Sequence, residues 1–439
     1  MHRLTHPPGL KRSMTTLVVV PLLAFGAVSC SRSLTATVAP GRAVARAQSA
    51  DGINGSEVVV TLTAGADAQD VASRYGAEVV ESAPGAQVAT LRPGPGQGVQ
   101  DLQQQLASDS SVVTAEPNGW LQTAESRQQS FSFDDGLETP EAFVGQPAAA
   151  ALHLGAAQAV ATGRGVTVAI LDTGIDPNHP LLQGVYAGGV DFVDHDDDPT
   201  ETRDGIDNDG DGAVDEAFGH GTHVAGIIHL VAPEARILAV RVLDDEGSGD
   251  LLRVVAGVRW AMHHGAKVIN LSLGSLQRSM AVERALEDAE GQGIAVVVSA
   301  GNWGSDTPVE FPASSSAVAA IAAVDAACDP ASFSSYGANV ALAAPGVAIR
   351  STYPGGDFRL WSGTSMSAPF VAGTCALLAE LHPGWSRNEM LARIGSYAVH
   401  VNADGRAFGA GALDVGAALA PDGPVIGGET DPGEDLRPH

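Results

Sequence analysis

Three residues in this chain are of the types and spacing that could activate a hydroxyl group. Asp172 closes the apolar run VTVAILD, and His220 opens HGTHVAGIIHLVA. Ser365 lies in WSGTSMSAPFVAGTCALLAELHPG, among small residues at the mouth of a long apolar, helix-like stretch. A serine hydroxyl is a poor nucleophile until an imidazole takes its proton. The imidazole in turn needs a carboxylate on its other nitrogen, to hold the tautomer and steady the imidazolium. An oxygen that becomes anionic needs a donor, and Asn302, at the end of GIAVVVSAGN, carries a suitable amide. Taken singly, each has a plainer use: a strand-end turn for Asp172, a core or capping histidine for His220, a helix cap for Ser365. His223, the second histidine of HGTH, is expected to be structural.

A second cluster could hold a cation. Between Arg203 and Ala217 stand six carboxylates, Asp204, Asp207, Asp209, Asp211, Asp215 and Glu216. The alternation in DNDGDG, with Gly212 for the sharp turn, resembles the first half of an EF-hand loop. Asp207, Asp209 and Asp211 match its first three ligand positions, and the Ala213 carbonyl matches the next. The twelfth position is Phe218 rather than Glu, so Asp215 or Glu216 must close the loop. Hard oxygen ligands favour Ca²⁺ over zinc; the alternative is a solvated acidic loop. The insert ends four residues before His220. An uncompensated field there is expected to raise the His220 pKa, and a bound cation to cancel it. The upstream acidic run DFVDHDDDP (191–199) remains unassigned.

These groups need a scaffold. VTVAILD, ARILAVRVL, AKVINLSLG, GIAVVVSAGN and SAVAAIAAVD are nearly continuous apolar runs, the pattern of parallel strands buried on both faces. Helical stretches such as GDLLRVVAGVRWAMHHG and MAVERALEDAEGQG lie between them. Residues 151–420 therefore predict an α/β domain: an open, mostly parallel sheet with helices on both faces, its functional groups at the C-terminal strand ends. Residues 56–122 predict strand, helix, two strands, helix, strand, a small α+β ferredoxin-like domain. Segments 30–55 and 123–150 have linker composition, and 421–439 is an acidic tail expected to be disordered.

The blocks LDTGID, GHGTHVAG, LSLG, SAGN and GTSMSAP, in that order, resemble the signatures of subtilisin-like serine proteases. The resemblance covers roughly residues 151–420. Residues 57–122 are similar to that family's inhibitory pro-domain, with its AEPN ending at 115–118. It implies a serine endopeptidase made as a zymogen, with Asp172 the orienting acid, His220 the base, Ser365 the nucleophile and Asn302 the oxyanion donor. It also implies that Gly247-Ser248-Gly249 and Ser272-Leu273-Gly274 pair with an extended peptide, glycine allowing close approach. Ser299, Ala300 and Gly301 would line the same cleft. Phe311-Pro312-Ala313 resembles the segment at the floor of the primary pocket, which puts Glu310 either near that floor, favouring Arg or Lys substrates, or in solvent. A narrow-specificity processing protease and a calcium-stabilised adhesion module remain alternative readings.

Composition bounds the rest. With 51 acidic and 24 basic residues the net charge is −27, which argues against nucleic acid as a partner. The expected partners are protein or peptide substrates and the chain's own pro-domain, on a monomer. Arg3, Lys11 and Arg12 precede TTLVVVPLLAFGAVSC, which fits a signal peptide over 1–29 and implies export. Ala27-Val28-Ser29-Cys30 resembles a lipoprotein cleavage box, so Cys30 is either a lipid anchor at a bacterial envelope or an incidental cysteine. Cys328 and Cys375 could pair, but Cys375 sits in an apolar run that suits a buried thiol.

Overall fold

The computed structural model describes residues 37–38, 53–127, 132–209, 211–307 and 310–421. The expected signal segment, Cys30 and nearly all of the acidic tail lie outside them. Among the described residues no helix is long and apolar enough to cross a membrane.

The apolar runs form one seven-stranded sheet. Its order is Val340–Pro345, Ala319–Val324, Ala295–Ser299, Val268–Leu271, Thr167–Asp172, Arg236–Arg241 and Tyr186–Asp191, and every pairing is parallel. Strands buried on both faces need cover on both. Helices His220–Val231 and Thr364–Leu381 pack on one side, and Leu251–His263 and Met280–Gly291 on the other, each with its own apolar cluster. Thr167–Asp172 lies between Val268–Leu271 and Arg236–Arg241, so Asp172 emerges near the middle of the sheet's C-terminal edge. Cys375 is fully buried in the Thr364–Leu381 helix and Cys328 is half-buried elsewhere; both are free thiols.

The N-terminal region folds as βαββαβ. Strands Glu78–Ala83, Val88–Arg92, Ile53–Leu62 and Val112–Gln122 lie side by side, all antiparallel, backed by helices Ala68–Arg74 and Val99–Leu106. The first strand starts at Ile53, inside the expected linker, and Thr37–Val38 of that linker pairs with Glu81 and Ser82. The sheet docks across the helices Leu251–His263 and Met280–Gly291. Glu116 accepts from Ser279 Oγ (2.6 Å) and from the N–H groups of Met280 (2.9 Å) and Ala281 (2.8 Å). It thereby satisfies donors that a helix start leaves open.

The segment 123–150 departs from its linker composition. Proline at the first helical position starts Pro140–Val144 and Pro147–Ala151, and Thr139 caps the former. Phe143 is 1% exposed in the catalytic core, and Arg350 pairs with Asp135 at 2.5 Å. Burying a side chain of that size contributes about 1.5–3 kcal/mol, enough to fix a segment whose polar residues suggest looseness.

Candidate active site

Strand and helix ends bring Asp172, His220, Ser365 and Asn302 together. Gly219, at φ +89°, delivers His220 as the first residue of its helix. His220 Nδ1 lies 2.7 Å from Asp172 Oδ1, and both side chains are fully buried. Ser365 occupies the first turn of Thr364–Leu381. Its Oγ lies 3.5 Å from the Ser272 carbonyl, while Ser272 Oγ donates to the Ser365 carbonyl at 3.1 Å. The Asn302 amide is fixed from behind: its Oδ1 accepts from Thr364 N–H (3.0 Å) and Thr364 Oγ1 (2.9 Å), which turns Nδ2 toward Ser365. His223 is neutral and structural, as expected. Burial and the neighbouring His220 charge lower its pKa to about 3, and Nε2 donates to the carbonyls of Ile349 (3.1 Å) and Arg359 (3.2 Å).

Two carboxylates absent from the sequence reading complete the centre. Glu201 lies 8% exposed behind the Asp172–His220 pair. It accepts from Thr173 Oγ1, Gly221 N–H (3.2 Å) and Thr222 Oγ1 (2.5 Å), tying the residue after Asp172 to the two after His220. Glu125 comes from the expected linker. Its Oε2 accepts from Ser365 Oγ at 2.5 Å and stands 3.4 Å from His220 Nε2, and its Oε1 accepts from Asn302 Nδ2 at 2.9 Å. Burial alone would lower the His220 pKa, but Asp172 and Glu125 outweigh it and push it up to about 10. Burial works against the Glu125 charge too, yet its bonds to His220, Ser365 and Asn302 hold the carboxyl below its ordinary range.

The cleft is entered by strand addition. Val112–Gln122 continues past the small sheet and pairs antiparallel with Ser248–Asp250, matching Leu121 to Gly249 and Gln122 to Ser248. Gln122 also exchanges backbone hydrogen bonds with Gly274 (2.9 and 2.8 Å), and Thr123 N–H donates to the Gly247 carbonyl (2.9 Å). Both predicted substrate segments thus grip one peptide. Leu273 is buried beneath it, and Ser299, Ala300 and Gly301 lead from the strand end into Asn302. Glu310 does not point to solvent: it is 2% exposed, and its Oε1 accepts from Trp303 Nε1 at 2.5 Å. Its carboxylate lies against Gly274 and Gly301, where an added Cβ would meet it; at Gly301 (φ +100°) the separation would be 2.8 Å.

The acidic insert forms three carboxylate groupings, each with ligand atoms within 4.8 Å of one another. They are Asp207 with Asp209 and Asp211, Asp204 and Asp215 with Asp245, and Asp209 and Glu216 with Glu246. Gly212 makes the expected turn at φ +95° and donates to Asp207 (3.1 Å); Ala213 N–H donates to Asp211 (2.7 Å). Both Glu216 carboxylate oxygens and Glu246 Oε2 are buried without hydrogen-bond partners, and burial and the facing Glu246 drive the Glu216 pKa to about 9. Oxygen-only donors, orphaned and mutually repelling, fit a hard divalent cation such as Ca²⁺. Asp245 and Glu246 were not legible as members of these groupings, because LDDEGSGD carries no ligand spacing. The carboxylates facing His220 are Asp172 and Glu125, with Glu201, whose pKa burial raises, behind them and His223 nearby. The insert packs against Asp245 and Glu246, in the turn before Ser248–Asp250. The unassigned run 191–199 is an arginine clamp: Arg241 pairs with Asp191 (2.6 Å) and Asp194 (2.5 Å).

A serine, an imidazole and a carboxylate in series, with an amide donor beside them at the C-terminal edge of a parallel sheet, define a serine hydrolase. Residues 163–411 match the model of the subtilase family, and residues 39–118 match that of the fervidolysin N-terminal prodomain. Subtilisin from Bacillus pumilus is 38% identical over 269 residues, covering 58% of this chain and 92% of that one. Thermitase from Thermoactinomyces vulgaris is 40% identical over 265 residues, covering 58% and 88%. The crystal structure of fervidolysin from Fervidobacterium pennivorans, a keratinolytic enzyme related to subtilisin, superposes with a TM-score of 0.67 at 25% identity. That match covers 84% of this chain but 61% of fervidolysin. The chain belongs to the subtilase family and is a subtilisin-like serine endopeptidase with an N-terminal prodomain.

Proposed function

We propose that this chain is the zymogen of an exported, calcium-stabilised endopeptidase in which Ser365, His220, Asp172 and Asn302 perform acyl transfer. The observation that carries this reading is the convergence of Ser365, His220 and Asn302 on a single carboxylate, that of Glu125. A tetrahedral oxyanion presents the same charge in the same place. In the reaction Ser365 Oγ attacks the substrate carbonyl and His220 takes its proton, while Asp172 holds the Nδ1–H. Asn302 Nδ2 and the Ser365 N–H receive the oxyanion. The proton passes to the leaving amine, and water then hydrolyses the acyl-enzyme.

Asp204, Asp207, Asp209, Asp211, Asp215 and Glu216, joined by Asp245 and Glu246, would hold Ca²⁺. The ion would supply the counter-charge that lets these acids stand together and would fix the loop entering Gly247–Gly249. Glu310, buried beside Gly274 and Gly301, favours a cationic side chain before the scissile bond. The test is labelling with a fluorophosphonate, which reacts only with an activated serine. The matured protein should be modified at Ser365 alone and S365A not at all. An unreactive matured protein would leave only a binding role.

A further inference from the structure

The segment lying in the cleft is not seated as a substrate. Antiparallel pairing sets its register: Gln122 is opposite Gly274, so an extended Ala124 would stand opposite Ser272. The Ser272 carbonyl is 3.5 Å from Ser365 Oγ. The carbonyl brought to the nucleophile by that register is therefore that of Ala124. Ala124–Arg127 instead coils into one helical turn. Thr123 closes the turn, its Oγ1 accepting from Ser126 N–H (3.3 Å) and sharing a hydrogen bond with Ser126 Oγ (2.6 Å). The turn takes Ala124 out of the extended pairing opposite Ser272, and the Glu125 carboxylate stands at Ser365 Oγ (2.5 Å) instead. An added Cβ at Gly363 would collide with that carboxylate, so the glycine of GTSMSAP leaves the space that Glu125 fills.

We infer that Ala124–Glu125 is the bond this zymogen cuts to mature, and that the Glu125 carboxylate is the latch holding that bond out of reach. The inference rests on the proposed acyl-transfer reading. Latched, Ser365 donates to Glu125 and His220 faces the same carboxylate, so neither nucleophile nor base is free. Asn302 already spends its donor on Glu125. When the turn extends, Ser365 Oγ bonds to the Ala124 carbonyl carbon and the bond to the Glu125 nitrogen breaks. The hydroxyl proton passes through His220 to that nitrogen, and water cleaves the ester to leave a carboxylate on Ala124. Cutting upstream would require the strand to slide against both partners, and a one-residue slip reverses every side chain, including buried Leu121.

The full chain should be purified as wild type, E125Q, E125A and S365A, and followed by intact mass and N-terminal sequencing. Wild type should yield one new N-terminus at Glu125. E125A should process faster by about tenfold or more, the effect of losing one charge-assisted hydrogen bond. E125Q should fall between, since its amide keeps the shape without the charge, and it decides the matter if E125A does not fold. A terminus at another residue, or E125Q and E125A rates equal to wild type, would overturn the inference while leaving the reading of Ser365 intact. Cleavage of S365A at the same bond would instead overturn the acyl-transfer reading of self-processing.

Discussion

Glu201 touches neither Ser365 nor substrate, yet its removal should slow catalysis. It receives three hydrogen bonds, from Thr173 Oγ1, Gly221 N–H and Thr222 Oγ1, in a site closed to water. Glu201→Ala leaves the Thr222 hydroxyl without an acceptor and Thr173 Oγ1 with only a 3.4 Å contact to Asp172, while Gly221 N–H keeps Thr173 Oγ1 at 2.9 Å, a loss of roughly 2–4 kcal/mol. Glu201→Gln keeps an oxygen for Thr173 and Gly221 but presents an amide to Thr222. That hydroxyl already accepts from Asp176 N–H at 2.8 Å, so one donor loses its acceptor and the loss should be about 1–2 kcal/mol. Because the lost bonds join the residues that follow Asp172 and His220, the 2.7 Å contact between those side chains should loosen. A misalignment approaching 1 Å slows an enzyme by up to about 10²-fold, so kcat for E201A should fall about 10–100-fold, with KM nearly unchanged. Steady-state kinetics on a small peptide, beside thermal unfolding of the same matured samples, separates the two effects. An E201A enzyme that melts earlier but keeps kcat within about twofold would show Glu201 to be a stabilising clip and refute its positioning role.

Three further outcomes follow from the same geometry. Chelation with EGTA should lower the melting temperature and raise KM severalfold, since Asp245 and Glu246 directly precede the substrate strand. The acidic limb of the pH–rate profile should stay in place, and a moving limb would show that the insert's field acts on His220. Glu310→Gln should cost Arg-ending peptides at least about tenfold in kcat/KM while sparing Phe-ending ones, the size of one charge-assisted pair; an unchanged ratio would show that the Trp303 contact has spent the Glu310 charge. Maturation should have a more alkaline pH profile than peptide cleavage by the matured enzyme. Asp172 and Glu125 are the carboxylates paired with His220, with Glu201, whose pKa burial raises, behind them and His223 neutral beside it, and pairing with Asp172 and Glu125 raises the His220 pKa to about 10. The resulting stabilisation of the latched state is fully present below the unfolded imidazole pKa and is lost as pH rises through about 10. Self-cleavage should therefore accelerate over that interval, and coincident profiles would show that Glu125 does not hold the imidazolium.

Asp172, His220, Ser365 and Asn302 were legible because each stands at the junction of a strand or helix with a tight turn, and such junctions have local sequence requirements. Gly219 and Gly363 are examples: one turns the chain into the His220 helix, the other makes room beside Ser365. The cleft segments were legible for a similar reason, their glycines marking close backbone approach. Glu125, Glu201, Asp245 and Glu246 were not. Each acts on a partner remote in sequence (Glu125 lies 240 positions from Ser365) through a side chain whose local setting is merely polar. Composition marks 123–150 as a linker because polarity reports what a segment can tolerate, not what it docks against.

The large acidic excess acquires a structural meaning from four of its buried carboxylates. A carboxylate is stable in a dry site only where donors or cations face it. Here Glu116 takes the open end of the Met280–Gly291 helix, Glu201 takes three donors beside the base, and Asp191 takes Arg241. Glu125 takes Ser365 and Asn302 in a site otherwise suited to an oxyanion. Two of these four arrangements are permanent, since their partners belong to the same catalytic domain, and Glu116 holds its helix end only while the prodomain stays docked. The fourth borrows partners that the reaction itself requires, so it must be temporary if the enzyme is ever to act. A bond cut on the N-terminal side of Glu125 would free it from the clamped strand, converting an inhibitory side chain into the start of a departing chain end.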